Sequence, residues 1–499
     1  MPFFRNRLKY VTTRYWDCSQ APVFPEKTKL GEKAKLGICF SGGGTRSASC
    51  THGQLRALDA LGLLDNTGYI SCVSGGSWAA LPFTFLNRHY EDRHFLGTIV
   101  DPRELTEELL DDVHSSNYLA TVTQAGIVDD IIEQAVKLAG DETYSRAVGD
   151  VFLAQFGLND RAKVFAHDRA HLDDVLAQNP NLNSDDFYHV EKDRPFLVVG
   201  GALLRKGDGD LVFEMTPMYT GISKLYKGLG AGGRDIGGGF IESFAMDSDE
   251  PDKINRDGTL TVRLGNKGHR FALSDVVGTS GAAPAEVLNN LLIRQVGFPD
   301  FRHWPLTKLG KTSSKTYEFG DGGNIENLGI LPLLKRGVEK IVVFVNTKKP
   351  LERAGSKIRT NKAIELLFRS GSVNQVFAED ELEPLKDALM SRAEVGDAAV
   401  VSKSYTTVAN AHHGIEAGHD VQVLWVYNNL YQSWCDHLPA AIREQIGKRG
   451  KLKNFPHFAT FLENPPKLID LAPIQANLLS QMSSAVVMDN KALFDAHLN

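Results

Sequence analysis

Three glycine-bearing turns hold the groups able to do chemistry in this chain of 499 residues. The first, Ser41-Gly42-Gly43-Gly44-Thr45-Arg46, follows the apolar run Gly37-Ile38-Cys39-Phe40. The second, Ser74-Gly75-Gly76, follows Tyr69-Ile70-Ser71-Cys72-Val73, and the third sets Asp321 among Gly320, Gly322 and Gly323. Ser74 matches the strand-to-helix nucleophile elbow G-x-S-x-G except that Cys72 stands at the first glycine. A serine hydroxyl is a poor nucleophile near neutral pH and needs a base. Asp321 is the candidate, provided partial burial raises its carboxylate from the ordinary value near 4. Three successive glycines before a helix let backbone N–H groups converge at the positive end of the helix dipole. The N–H groups of Gly43 and Gly44 are therefore the candidate oxyanion donors, each worth about 3 kcal/mol to a tetrahedral transition state. The chemistry is acyl transfer: attack on an ester, an acyl-Ser74 intermediate, and water resolving it with Asp321 again as base.

The elements that must position these groups are legible nearby. Gly37–Phe40 suits a strand buried on both faces. Leu55, Leu58 and Leu61 recur at three-residue steps beside Ala57 and Ala60, which predicts one apolar helix face ending at Gly62. Tyr69–Val73 supplies a second strand and completes a βαβ unit. Adjacent parallel strands bring the first two turns to one sheet edge. A glycine-rich βα turn also suits a nucleotide phosphate, but the G-x-G-x-x-G spacing and the P-loop lysine are both missing here.

The ordered set SGGGTR, SGGSW and DGGNIENLGILP resembles the cytosolic phospholipase A2 and patatin superfamily of serine acyl hydrolases, which use a Ser-Asp dyad. FEMTPMYTGI at 213–222, GGRDIGGGFIESFA at 232–245, TSGAAPA at 279–285 and VQVLWVYNN at 421–429 follow in the order expected of the cytosolic phospholipase A2 branch. The resemblance covers roughly residues 36 to 440. It implies an α/β fold, with a central, mostly parallel sheet flanked by helices and a helical insertion at about 87–192. It also implies a phospholipid or lysophospholipid substrate, no cofactor and no metal, and work at a membrane surface. An arginine in the position of Arg46 would help hold the substrate phosphate, a task suited to guanidinium geometry; the alternative is a brace for the loop.

The rest of the chain bounds this reading. Composition is that of a globular protein, with 42% hydrophobic and 23% charged residues and a mean hydropathy of −0.21. A net charge of −6 argues against a general nucleic-acid binder. No apolar run approaches the length of about 18 residues expected of a spanning helix. The five cysteines lack metal or framework spacing and read as reduced thiols, consistent with a cytoplasmic protein. The N-terminus lacks the apolar core of a secretory signal. The catalytic strand starts at Gly37, which leaves no room for a preceding calcium-dependent membrane domain.

Residues 1–35 read as a basic, aromatic arm and linker (Phe3, Phe4, Arg5, Arg7, Lys9, Tyr10, Arg14, Tyr15, Trp16), either packed on the domain or anchored in a headgroup layer. Within the insertion, Asp101-Pro102-Arg103-Glu104 is a helix start, and Ile127, Ile131, Ala135 and Leu138 form an apolar stripe. Arg194-Pro195 opens a strand that turns back through Lys206–Asp210 as a hairpin. Residues 228–239 hold seven glycines in twelve positions, which suggests a lid, a channel wall or a loop pinned by neighbours. Residues 349–400 read as surface helices with irregular stretches, and 441–499 as a mainly helical extension packed on the 36–440 catalytic domain. Two other functions remain open: a Ser-His-Asp α/β-hydrolase with His412 or His413 in the triad, and a lipid-binding protein without turnover.

Overall fold

The computed structural model describes residues 10–123, 143–205, 209–251, 254–264, 270–282, 299–306, 314–448, 450–463, 466–468 and 470–499. The chain is α/β and divides into two compact units. Met1–Glu26, Thr84–Arg88 and Ile132–Ile325 make the first; Lys27–Phe83, His89–Ile131 and Glu326–Asn499 make the second.

The second unit carries the parallel strands. Their order is Val400–Thr406, Asp420–Tyr427, Lys340–Val345, Leu36–Phe40 and Tyr69–Val73, and all but the first run in parallel. The register aligns Val343 with Cys39 and Phe344 with Phe40, and on the next strand Phe40 with Cys72. Lys340–Val345, Leu36–Phe40 and Tyr69–Val73 are largely apolar and buried on both faces, as a parallel sheet between helices requires, whereas the antiparallel Val400–Thr406 is partly exposed. Phe344 stacks on Phe40 with ring centroids 5.4 Å apart, and Phe494 of the last helix lies 5.9 Å beyond. Gly37 sits where a Cβ would come within 2.6 Å of Leu333, so the helix Ile330–Lys335 presses on the bare backbone.

The helix Gly44–Ala60 departs from the one-faced expectation. Every residue from Thr45 to Leu58 is buried, polar ones included. The helix Pro473–Asp489 covers the face that the leucine spacing left for solvent. Gly53 makes the approach possible: a Cβ there would sit 2.0 Å from the Ser480 carbonyl. The polar side chains then find partners across the joint. His52 Nδ1 pairs with Ser480 Oγ at 2.8 Å, Arg56 Nε donates to Ser484 Oγ at 3.0 Å, and Ser484 Oγ donates to the Gly53 carbonyl at 2.7 Å. Buried polar groups are tolerated when bonded in this way. Gly62, with φ of 68°, follows the Leu61 C-cap as expected.

The first unit is antiparallel. Phe196–Leu203, Leu211–Met215, Tyr219–Gly230, Arg234–Glu242 and Tyr15–Asp17 pair in that order, and Lys315–Asp321 pairs with the first of them. The α/β class thus holds with parallel strands in one unit and an antiparallel meander in the other. Residues 228–239, read above as a lid, a channel wall or a pinned loop, form the end of a two-stranded hairpin, with bulges near Asp235 and Gly238. Gly239 needs its bare backbone, since a Cβ would lie 2.1 Å from the Trp16 carbonyl.

The described part of the N-terminal arm is a packed one. Tyr10–Thr13 pairs with Leu260–Leu264 and Tyr15–Asp17 with the glycine-rich hairpin. Arg14 and His171 both reach the buried Glu242, at 2.8 and 3.0 Å. Phe3, Phe4, Arg5, Arg7 and Lys9, considered above as an interfacial anchor, lie outside the described residues, as do the stripe Ile127–Leu138 and the turn Lys206–Asp208.

The described residues of the insertion at 87–192 form short helices and a parallel strand pair, Val164–Ala166 and Phe187–His189. Asp101 does cap a helix by accepting from Arg103 N–H, but that helix is a single 3-10 turn, Pro102–Glu104. Residues 349–400 form a small hairpin and two helices, Lys362–Phe368 and Leu382–Glu394. Among the described residues no helix is long and apolar enough to cross a membrane.

Candidate active site

Ser74 follows the strand Tyr69–Val73 and opens the helix Gly75–Thr84. Its φ of 51° is left-handed, a conformation shared among described non-glycine residues only with Asp247. Such strain costs about 1–3 kcal/mol and persists where the surroundings over-determine it. The surroundings here are backbone. A Cβ on Gly75 would lie 2.1 Å from the Gly44 carbonyl oxygen, and one on Gly76 would lie 2.5 Å from that of Phe40. Both glycines therefore let the serine turn press against the first glycine loop. The Ser74 carbonyl accepts from Ser77 N–H and Oγ at 2.8 and 2.6 Å, which ties down the first turn of the helix. Cys72, at the place of the motif's first glycine, is simply a buried strand residue.

The glycine loop faces Ser74 closely. A Cβ on Gly42 would be 3.0 Å from Ser74 Cβ and 2.1 Å from Asn327 Oδ1. Gly42 N–H donates to the Asn327 carbonyl at 2.9 Å. Gly43, with φ of 149°, and Gly44, with φ of 59°, stand at the start of the long helix, and among the described residues neither N–H has a bonded acceptor. Two donors at a helix N-terminus beside a strained serine are what an oxyanion site requires.

Arg46 lies in the first turn of that helix and is buried. Its Nε donates to the Asn346 carbonyl at 3.1 Å and its Nη1 to the Phe458 carbonyl at 2.7 Å. Burial lowers its pKa to about 10, partly offset by Cys50, so the group stays cationic near neutral pH. Two of its nitrogens brace the loop; Nη2 lies 2.5 Å from where a Gly43 Cβ would be.

Asp321 ends the strand Lys315–Asp321 in the antiparallel unit and is only 3% exposed. It pairs with Gly201, and its Oδ1 accepts from Gly323 N–H at 2.7 Å. Gly322 is needed because a Cβ there would come within 2.6 Å of the Gly200 carbonyl. Tyr144, bonded through its hydroxyl to the Gly281 carbonyl, has its pKa raised chiefly by burial and further by the charge of Asp321. The chain then enters the parallel unit at Glu326. That carboxyl is buried and accepts from the N–H groups of Leu328 and Gly329. Burial raises its pKa to about 7, against the pull of those N–H bonds. It fixes the neighbour, Asn327, that holds Gly42.

His412 and His413 lie in the loop between Val400–Thr406 and Asp420–Tyr427. That loop joins the N-terminal ends of the parallel strands, whereas Ser74 is at a C-terminal end. His413 bonds to Asn374 at 2.9 Å. Neither histidine can serve Ser74, so the triad built on them is excluded by topology.

Sequence reasoning missed several neighbours of the loop. Asn346 N–H donates to Ser41 Oγ at 2.8 Å, and its side chain meets Ser47, Thr51 and Gln54. Thr460 Oγ1 donates to the Gly43 carbonyl at 2.8 Å. His457 stands by the Thr347 carbonyl, with its pKa lowered to about 4 by burial and the Arg46 charge. No local pattern marks these residues; they arrive from distant parts of the chain.

No family model matches the chain. Part of it is 37% identical over 75 residues to human cytosolic phospholipase A2 zeta, covering 15% of this chain and 9% of that protein. It is 29% identical over 150 residues to mouse cytosolic phospholipase A2 delta, covering 30% of this chain and 16% of the relative. Over these stretches the chain is similar to cytosolic phospholipases A2. The matches span less than a fifth of either relative's length. The solved structures of human GIVD cytosolic phospholipase A2, alone and in complex with methyl gamma-linolenyl fluorophosphonate and terbium chloride, align at 13% and 12% identity. Both have a TM-score of 0.44, over 94–95% of this chain and 62–64% of theirs.

Proposed function

We propose that this protein is a lipid acyl hydrolase of the phospholipase A2 or lysophospholipase type. Ser74 is the nucleophile, Asp321 the base, and the N–H groups of Gly43 and Gly44 the oxyanion donors. The observation that carries this reading is the left-handed Ser74, closed by Gly75 and Gly76 against the loop that bears two N–H groups unbonded among the described residues. The local sequence similarity to cytosolic phospholipases A2 supports the substrate class. Asp321 is supported by its burial at a strand end and by the glycines that make its turn compact.

The proton of Ser74 passes to the Asp321 carboxylate as the hydroxyl oxygen attacks the ester carbonyl. The oxyanion is held by the two N–H groups, the lysophospholipid or glycerophosphodiester leaves with the proton, and water, giving a proton to Asp321, attacks the acyl-Ser74 ester to release the fatty acid and restore the Ser74 hydroxyl. Arg46 lends a fixed positive charge beside the loop, where a phosphate headgroup can be held. The five buried, unbridged thiols fit a cytoplasmic protein that meets its substrate at a membrane surface.

The test is labelling of the purified full chain with a fluorophosphonate probe, combined with hydrolysis of diacyl and lysophospholipid vesicles. A single modified peptide containing Ser74 is expected, and Ser74→Ala abolishes both labelling and fatty-acid release. Asp321→Asn, which keeps the shape but not the basicity, lowers the rate at least about 100-fold. Labelling at another serine, or full activity in Asp321→Asn, would refute the assignment.

A further inference from the structure

We propose that Thr460 is a positioning residue of the oxyanion site, a role that rests on the acyl-transfer reading of Gly43 and Gly44. The carbonyl of Gly43 and the N–H of Gly44 belong to one planar peptide unit and point in opposite directions. Whatever holds that carbonyl therefore aims the N–H. Thr460 Oγ1 donates to it at 2.8 Å, whereas the helix's own donor, Ser47 N–H, is 3.4 Å away. The threonine bond is the stronger by distance.

The peptide needs such a bolt. Gly43 and Gly44 adopt φ values of 149° and 59°, in regions that only glycine enters readily. A peptide between two glycines has no side chain to resist rotation, so neighbours must choose its orientation. Thr460 is 3% exposed, and its segment is anchored twice more. The Phe458 carbonyl accepts from Arg46 Nη1, and the Pro456 carbonyl accepts from Asn428 Nδ2 at 3.3 Å. Donation to a peptide carbonyl also polarises the linked N–H and strengthens it as a donor. Thr460 touches no reacting atom; it acts through Gly44.

The experiment compares the wild-type full chain with Thr460→Val and Thr460→Ser. Its readouts are the rate of Ser74 phosphonylation by a fluorophosphonate, the fraction of protein finally labelled, and kcat and KM on p-nitrophenyl butyrate. Deleting an oxyanion donor outright costs about 100- to 1000-fold, so a misaimed donor is expected to cost about 10-fold. Thr460→Val should lose that factor in kcat and in phosphonylation rate, with KM and the final labelled fraction unchanged, and Thr460→Ser should recover most of it. Equal phosphonylation rates in wild type and Thr460→Val overturn the proposal, as does a labelled fraction that falls while the rate per site stays constant. If Thr460→Val does not fold, Thr460→Ala measured against Thr460→Ser decides by the same rates. A wild-type protein that is not labelled at Ser74 overturns the acyl-transfer reading itself.

Discussion

Two stretches of this chain are equally conspicuous for glycine, yet the glycines work differently in each. Gly42–Gly44, together with Gly75 and Gly76, allow backbone to lie on backbone around Ser74, leaving the N–H groups of Gly43 and Gly44 without partners among the described residues. The run from 228 to 239 builds a hairpin whose N–H groups are largely spent on a neighbouring strand. The first arrangement is the one proposed as a site; the second creates bulges and a tight strand contact. Glycine content alone does not distinguish them. What decides is whether the polar groups beside the glycines are satisfied.

The sharpest way to break this comparison is to add one methyl group to each region. Gly75→Ala places a Cβ 2.1 Å from the Gly44 carbonyl, so Ser74 phosphonylation should fall at least about 100-fold, comparable to losing an oxyanion donor. Normal labelling of that variant would mean the loops need not touch. Gly239→Ala meets the Trp16 carbonyl at 2.1 Å. It should lower stability by about 1–3 kcal/mol, the cost of overpacking, while folded molecules label at the wild-type rate. Gly232→Ala, at the hairpin turn, meets nothing within 4 Å. Its cost is the left-handed backbone alone, about 1–2 kcal/mol, read as a shift in the urea midpoint without change in labelling.

A smaller effect sharpens the same contrast through pH. His52 lies in the helix behind the serine site, and burial, aided by the Arg56 charge, lowers its pKa to about 3 against an opposing bond to the Phe95 carbonyl. An unfolded histidine titrates near 6.5, so below that pH the unfolded state binds a proton that the folded state refuses. The stability His52 permits is intact above pH 6.5 and is lost as pH falls toward 3. At pH 5 the loss is about 2 kcal/mol, at 1.36 kcal/mol per unit. His52→Gln should show a shallower decline in unfolding temperature between pH 7 and pH 5 than the wild type. An identical decline would place the acid sensitivity elsewhere.

The βαβ unit around Ser74 was legible because its signals are local: an apolar run, a glycine turn, a leucine step and a C-terminal glycine. The strand ending at Asp321 was legible for the same reason. The burial of the long helix on all sides was not, since His52, Gln54 and Arg56 read as a solvent face until Ser480 and Ser484 meet them. Asp101 was recognised as a cap, but one turn of 3-10 helix satisfies the same signal as a long helix does. The hairpin at 228–239 was hidden because its pairing depends on register, which runs of glycine do not encode. Thr460 had no signal at all: a lone threonine states nothing about a carbonyl 417 positions earlier.

That separation has a consequence for how the protein is made. The loop beside Ser74 leaves the ribosome more than 400 residues ahead of Phe458, Thr460 and the helix Pro473–Asp489, with separations of 412 and 417 positions for the Arg46–Phe458 and Gly43–Thr460 bonds. Until they emerge, Gly43 lacks its threonine, Arg46 lacks a carbonyl, and a helix rich in buried polar groups has no cover. Contacts so distant in sequence form late in folding. A nascent chain therefore carries Ser74 through the synthesis of all the intervening residues before the glycine loop beside it is held in place.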